Sequence, residues 1–522
     1  MTISDIKAAD QVITCQRLLT LLSLAEIERL MAKRSLLLPM QPSILGLSPQ
    51  DRADKLLQVL VGTEGERLFA DYEIRAVVAK SLGVTLLRKW IPGSFGAMSF
   101  IKRCGFPRPY AGKAGFGAPE PVVRYSPAPK VPTLLRFQET VVDDCLSVFR
   151  TQTKLLMSLP TGAGKTRCAA ELIKKLSDTH SGCCRIVWLA HTEELCEQAI
   201  SSLMHVCQSS SPNKPWYFLR MWGGVSKLKS IDKAYSFYEE PNFFDNVYIF
   251  VSTPLTCKRI LASGMESPLK DELEQADILV IDEAHRAAAK TYREIIDLFE
   301  NKKRDIKLIG LSATPVRENY GFNPFDGTKE LINIFRVLVE LKVPSGSDLN
   351  PTQFLISEGV LAQVEIKHVT WDIEPSCTAK NITKLLTDES TPSIAFVRSV
   401  ADCKLLAFEL RKRGVRAEYV SADNTPQERA AIIHALRNKT LDILLNCEIL
   451  TTGFDAPVIK SAFILRSTKS PILYKQMLGR VMRGARFGGT SSAVVYLVNC
   501  NLSFPEDPTQ AEFARTLWIS EH

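Results

Sequence analysis

Ser158–Leu176 reads SLPTGAGKTRCAAELIKKL. The apolar run KLLMS leads in, a turn carrying Gly162 and Gly164 follows, and a helix-forming segment leads out. Glycines in such a turn let backbone N–H groups close around phosphates at a helix N-terminus, where the peptide dipoles favour an anion. Thr161, Gly162, Ala163 and Gly164 are therefore the expected phosphate cradle. Lys165 would neutralise the β- and γ-phosphates, and Thr166 would hold Mg²⁺. The general phosphate-loop formula has glycine where this chain has Leu159, so the shorter form T-G-x-G-K-T is what remains.

A second stretch supports the first. ILVIDEAHRAAAKTYREI (Ile278–Ile295) sets Asp282, Glu283 and His285 at the end of an apolar run, with Asp282 117 residues after Lys165. Two adjacent acids there suit Mg²⁺ binding through water by Asp282 and activation of an attacking water by Glu283. Around these landmarks, short β-branched runs alternate with amphipathic segments: KLLMSLP, RIVWLAH, VYIFVST, ILVIDEAH and KLIGLSA. A second series begins near Gln363, with VEIKHVTW, SIAFVRS, RAEYVSA, ILLNCEI, SAFILRS and AVVYLVN. Strands alternating with helices predict parallel α/β sheets, and two series predict two such domains. The expected boundaries are residues 131–345 and 346–522.

With these residues in place the chain resembles the superfamily-two helicases and translocases, in their DExH (DEAH-box) branch. Further segments carry the resemblance in family order. Leu135-Arg136-Phe137-Gln138 resembles the adenine-recognition element, LAHTEELCEQ (Leu189–Gln198) motif Ia, and VSTPLT (Val251–Thr256) the next DNA-facing motif. LSATPVR (Leu311–Arg317) resembles motif III, SIAFVRSV motif IV, CEILTTGFDAP (Cys447–Pro457) motif V, and YKQMLGRVMRG (Tyr474–Gly484) motif VI. TTGFDAP, then STKSPILYKQMLGRVMRG, then Gly488-Gly489 look closest to bacterial restriction-type translocase subunits and XPB-like DNA-repair helicases.

The resemblance implies two tandem RecA-like parallel-sheet domains that use ATP with Mg²⁺. It places Arg136 and Gln138 at the adenine and Gln476 near the γ-phosphate and His285. Arg480 and Arg483 would reach across the cleft to the phosphates, as arginine fingers do in related hydrolases. Gly453 and Asp455 would link the nucleotide to the second domain's grip. Ser312 and Thr314 would couple the nucleotide state to nucleic acid, which His191, Thr192, Thr253 and Thr452 would face.

Residues 1–130 read as a mainly helical, basic accessory domain. LLTLLSLAEIERLMAKR (Leu18–Arg34) has helical spacing, Ser48-Pro49-Gln50-Asp51 reads as a helix start, and Gly65–Gly83 as a third helix. Between Arg75 and Lys130 ten basic residues face one acid, Glu120, an excess larger than the whole chain's net charge of +8. Such concentration suggests a polyanionic partner, with Lys102, Arg103, Arg108 and Lys113 as contacts. The aromatics there, Trp90, Phe95, Phe100, Phe106, Tyr110, Phe116 and Tyr125, either stack on unpaired bases or form the domain's own core. The same charge would also suit an acidic protein.

With 45% apolar and 23% charged residues, no apolar run near the roughly 18 residues of a membrane span and no secretory start, a soluble cytoplasmic protein is expected. Thirteen cysteines without a C-x-x-C pair argue for reduced thiols. The favoured activity is a nucleic-acid-stimulated ATPase acting as a DNA helicase or translocase. The competing readings are an ATP-gated nucleic-acid sensor that recruits a protein partner through residues 1–130, in a larger complex such as one for antiviral defence, and an RNA helicase.

Overall fold

The computed structural model describes residues 3–112, 122–125, 133–207, 215–222, 246–263, 268–303, 305–315, 326–344, 347–372, 374–386, 391–421, 424–447, 457–467 and 471–499. All eleven apolar runs of the two series become strands. The first sheet holds β1 (Val122–Tyr125), β2 (Lys154–Ser158), β3 (Cys184–Leu189), β4 (Trp216–Met221), β5 (Val247–Ser252), β6 (Ile278–Asp282), β7 (Lys307–Ser312) and β8 (Leu338–Glu340). Its order is β1-β4-β5-β3-β6-β7-β2-β8. The pairs from β4 to β8 are parallel, and β1 alone runs antiparallel, on the edge strand β4.

The strands read as unbroken apolar runs because helices cover both faces of the sheet. Alternate side chains feed opposite cores. Ile186 and Trp188 of β3 join one with Trp216 and Ile309, while Val187 and Leu189 join the other with Phe250, Phe299 and Phe335. Parallel strands also gather their carboxyl ends on one edge. Because β6, β7 and β2 are neighbours, Asp282 pairs beside Leu311 and Ser158 beside Ser312, which brings the three expected nucleotide motifs together.

The second sheet holds β9 (Gln363–Val369), β10 (Ser393–Phe396), β11 (Ala417–Val420), β12 (Ile443–Asn446), β13 (Ser461–Ile464) and β14 (Ser492–Val498). It is parallel throughout, in the order β11-β12-β10-β13-β14-β9. Between the sheets, the helix Pro351–Ser357 and the crossover after it plant Leu355, Val360 and Leu361 in the first sheet's core.

The N-terminal region is helical, with breaks where side chains cap fresh helices. Leu18–Arg34 is two helices, Ile3–Leu21 and Leu24–Lys33, because Ser23 and Glu26 form a reciprocal capping box. Gly65–Gly83 opens as a 3₁₀ turn, Gly65–Ala70, before Asp71 caps the helix Tyr72–Leu82. Ser48 and Pro49 start the helix Pro49–Glu64 as the sequence predicts. In the basic stretch Ser94 caps a helix, Phe95–Cys104, closed by Gly105 in the left-handed region.

That helix settles most of the aromatic question. Phe100, Phe106 and Tyr110 are buried and cluster on Phe69, with ring centroids 4.6–6.4 Å apart, and Trp90 packs edge-on against Phe100 at 6.3 Å. These rings are core, not base-stacking platforms. Arg75 also leaves the polyanion-facing set: it is 3% exposed and donates to the carbonyls of Leu87, Phe69, Ala70 and Arg88. Phe116, Lys113, Lys130 and the side chains of Arg124 and Tyr125 lie outside the described residues. No helix among the described residues is long and apolar enough to cross a membrane, and the eleven cysteines whose side chains are described are free thiols.

Although the chain runs from this helical unit into the first sheet, the unit docks on the second. Leu405 of the helix Val400–Lys412 is buried in the N-terminal core, with Ala401 and Phe408 packed against it. Gly62 abuts the Phe408 ring so closely that a Cβ there would overlap it. Polar contacts fix the orientation. Lys404 Nζ meets Glu64 at 2.9 Å with both side chains nearly buried, Arg34 approaches Glu64 at 3.6 Å and Asp71 at 2.5 Å, and Arg67 donates to the Tyr419 hydroxyl at 2.7 Å. Glu64→Gln would remove the carboxylate charge that the Lys404 and Arg34 cations share in that interface and lower stability by about 3 kcal/mol in denaturant unfolding. Glu64→Leu with Lys404→Met, which removes both charges, should recover most of the loss. Equal destabilisation by the single and the double variant would show that the pair does not organise the interface.

Candidate nucleotide site between the two sheets

The site starts where β2 ends. Gly162 (φ 92°) and Gly164 (φ 89°) turn the chain through the left-handed region, and Ala163 N–H closes the turn on the Pro160 carbonyl at 3.0 Å. The helix Lys165–Thr179 begins directly after it, with Thr166 in its first turn. Leu159, standing where the longer formula has glycine, is fully buried in the core, and its N–H bonds to the Ser312 carbonyl of β7 at 3.2 Å. Gln138 braces the loop from the side. Its Nε2 donates to the Ala163 carbonyl at 3.0 Å, while its Oε1 accepts from Leu135 N–H at 3.0 Å. Its φ calls for glycine at 164, and a Cβ there would lie 2.6 Å from that amide and displace the brace. Arg136 stands exposed at the start of the same helix, Arg136–Val148.

At the end of β6, Glu283 takes a left-handed conformation (φ 51°), which turns it away from the strand line, and its N–H bonds to Asp282 Oδ1 at 2.9 Å. Burial and the neighbouring Glu283 carboxylate push the Asp282 carboxyl up to about 7, against the opposing pull of Lys165. Glu283 is buried too, which alone would raise it. Contact with the His285 ring and the charges of Lys165 and Arg480 outweigh burial and hold it below the ordinary carboxylate range. His285 Nδ1 lies 3.3 Å from Glu283 Oε2. Burial pushes the Lys165 ammonium down, and the fields of Glu283 and Asp282 counter that. The donor set fits a divalent cation: the two adjacent carboxyls repel each other, and a cation between Asp282 and the Thr166 hydroxyl would relieve that repulsion.

The second sheet completes the site. After the helix Pro471–Leu478 the chain turns through Gly479–Arg483, and Arg483 Nη1 donates to the Gly162 carbonyl at 2.8 Å. Arg480 and Arg483 lie close enough to Lys165 to depress its pKa, and Arg480 does the same to Glu283. Gln476 is buried on the same helix. Gly479 passes so near Thr161 that a Cβ would overlap the threonine side chain. The arginine loop is also stitched to the crossover between the sheets. Ala362 N–H bonds to the Met482 carbonyl at 3.0 Å, Gly484 N–H to the Val360 carbonyl at 3.0 Å, and Leu361 bridges Arg483.

Lys165, Thr166, Asp282, Glu283, His285, Arg480 and Arg483 thus converge. Ser312 and Thr314 are buried beside them, Ser312 Oγ donating to the Thr314 carbonyl at 2.5 Å. His191 and Thr192 follow β3, and Thr253 follows β5 and bonds to Thr256 Oγ1 at 3.0 Å. Lys102, Arg103 and Arg108 are exposed on the N-terminal unit. Thr452, Gly453 and Asp455 lie outside the described residues. The sequence reading missed Arg286, whose Nη1 sits 2.9 Å from His191 Nε2 and ties the acid loop to the end of β3. It also missed the crossover at Val360–Ala362, a short apolar passage with no motif to mark it.

Comparison with known proteins agrees with this arrangement. Residues 132–317 match the family described as type III restriction enzyme, res subunit, and residues 377–485 match the helicase conserved C-terminal domain. The chain is 25% identical over 67% of its length to the putative ATP-dependent helicase IRC3 of Saccharomyces cerevisiae, covering 50% of that protein. It is 25% identical over 63% of its length to putative helicase 22 of a Sulfolobus islandicus filamentous virus, covering 57%. It therefore spans about half the length of the relatives it matches. Among solved structures, the ATP-dependent type ISP restriction-modification enzyme LlaBIII shares the fold, with a TM-score of 0.53, 16% identity, and coverage of 76% of this chain and 29% of that one. The two sheets are RecA-like domains, the first matching the res-subunit family and the second the helicase conserved C-terminal domain.

Proposed function

We propose that the protein is a nucleic-acid-stimulated ATPase that acts as a DNA helicase or translocase, hydrolysing ATP with Mg²⁺ in the cleft between its RecA-like domains. The observation that carries this reading is the reach of Arg483 to the Gly162 carbonyl, with Arg480 beside Glu283. Lys165 and the loop N–H groups would hold the β- and γ-phosphates, and Thr166 and Asp282 would hold the cation, which supplies charge neutralisation on the phosphates. Glu283, kept ionised by His285, Lys165 and Arg480, is suited to take a proton from the attacking water. Arg480 and Arg483 would offset the charge that develops on the leaving phosphates, and Gln476 would stand near the γ-phosphate. Gln138 holds the loop and with Arg136 would flank the base.

Because the arginines belong to the second domain, hydrolysis requires the domains to meet. Opening and closing then moves the two domains' nucleic-acid contacts past each other, which converts ATP turnover into stepping. Ser312 and Thr314, joined to the phosphate loop through Leu159, are placed to pass that state to His191, Thr192 and Thr253. DNA is favoured over RNA by the res-subunit match, and the D-E-A-H tetrapeptide with the motif VI sequence supports a place near restriction-type and XPB-like enzymes. The docked N-terminal unit favours a second reading, an ATP-gated sensor that recruits a protein partner in genome repair or defence.

ATP hydrolysis should rise when single- or double-stranded DNA is added, and Lys165→Ala or Glu283→Gln should lower it by about 10³-fold or more. A purified wild-type protein without hydrolysis on any DNA or RNA would overturn the proposal. Gly479→Ala tests the closed contact: the methyl group would collide with Thr161, so turnover should drop about 100-fold while nucleotide binding persists. Adding Thr161→Ser, which removes the nearer colliding methyl but keeps the Cβ at 2.7 Å, should restore part of the rate. Unchanged turnover in Gly479→Ala would mean that the arginine loop acts from another position.

A further inference from the structure

The helix Phe95–Cys104 has two faces. Ala97, Phe100, Ile101 and Cys104 point into the N-terminal core. Phe95, Met98 and Lys102, at i, i+3 and i+7, form the outer stripe. Phe95 is 84% exposed, Met98 36%, and Ile91 just before the helix 51%. The domain's other described aromatics in this stretch are committed to the core or packed against it, so this ring contributes little to folding where it stands.

The charge that this stretch of chain carries has one sign. Arg88, Lys89, Lys102, Arg103 and Arg108 are exposed, and none forms an ion pair among the described residues. No acid occurs between Arg75 and Pro119 in the sequence. The turn Arg108–Ala111 is held alongside Ile91–Gly93: Gly93 N–H bonds to the Ala111 carbonyl at 2.9 Å, and Pro92 crowds Gly112. The cations and the bare ring therefore share one part of the surface.

We infer that this face binds single-stranded nucleic acid, with Phe95 stacking on an unpaired base and Lys102, Arg103 and Arg108 meeting the phosphates. The inference rests on the motor reading above and adds a contact that lies outside the RecA-like domains. A polyanion with aromatic faces satisfies both halves of the surface, the charge and the ring. Duplex bases are stacked on one another, so an exposed ring selects unpaired ones. Because the N-terminal unit is anchored through Glu64 and Lys404 to the second domain, this contact travels with that domain.

Fluorescence anisotropy of the full chain with labelled oligothymidylate, oligouridylate and an abasic strand of equal length tests it. Phe95→Ala should weaken binding to base-bearing strands by roughly 5- to 100-fold and leave the abasic strand unaffected, while Phe95→Trp retains affinity. Loss on both DNA and RNA strands, or on one alone, identifies which of the two the face accepts. Lys102→Gln, Arg103→Gln and Arg108→Gln should weaken all strands and flatten the log–log salt dependence by about 0.7 per lost contact. Phe95→Ala binding every strand like wild type, or losing the abasic strand equally, would overturn the inference and leave the basic face to an acidic protein. Those outcomes in a wild-type enzyme whose ATPase responds to nucleic acid spare the motor reading, whereas a wild type that neither binds strands nor hydrolyses ATP overturns both.

Discussion

The contact between Arg483 and the Gly162 carbonyl is the constraint on which the rest of the structure turns. It joins the phosphate loop of one sheet to the last motif of the other, and it demands space that side chains would fill. Gly162 must be glycine for its φ and because a Cβ would come within 2.8 Å of Leu361. Gly479 must be glycine because Thr161 occupies the place of any side chain. The arginine loop does not hang free: backbone bonds to Val360 and Ala362 hold it to a crossover whose apolar residues are rooted in the first core. The element that carries the arginines is thus positioned by the domain that they serve. Small changes at the crossover would be felt directly at the loop that Arg483 contacts.

Charge in the cleft is arranged in opposition. Lys165 is pressed downward by burial and by two arginines, and supported by two carboxyls. Asp282 is pressed upward by burial and by Glu283. Such a cluster is poorly satisfied on its own, since each group has like charge close by in a medium that screens weakly. Phosphates between the lysine and the arginines, with a cation beside Asp282, would satisfy every member at once. The polar design of the site is therefore complementary to its expected ligand.

The strands were legible because burial on both faces leaves no room for polar residues, so runs such as VYIFVS and ILVID stand out whatever the register. The phosphate and acid motifs were legible because their chemistry needs particular residues at fixed spacing. Three strands escaped notice: β4 (WYFLRM) carries the same buried apolar run, and the other two lack such a signal. β8 has three residues, and β1 is a four-residue edge strand amid prolines and basic residues. The aromatics of Trp90–Tyr110 could not be sorted by composition, because a ring in a core and a ring on a base look alike in sequence. The stripe at Phe95 emerges only when the helix phase is fixed by Ser94 at one end and Gly105 at the other.

The docking of the N-terminal unit was invisible for a further reason: chain order suggests the first sheet as its neighbour, and contact is made with the second. Chain connection and packing pull in different directions here. Beyond the helical unit, β1 clasps the outer edge of the first sheet through β4, while Leu405, Phe408 and the Glu64–Lys404 pair hold the unit to the second. Apolar contacts alone would tolerate sliding along the helix Val400–Lys412. The buried pair, with Arg34 and Arg67 beside it, penalises any register that separates the charges. The unit is thereby oriented with respect to one domain and tethered to the other.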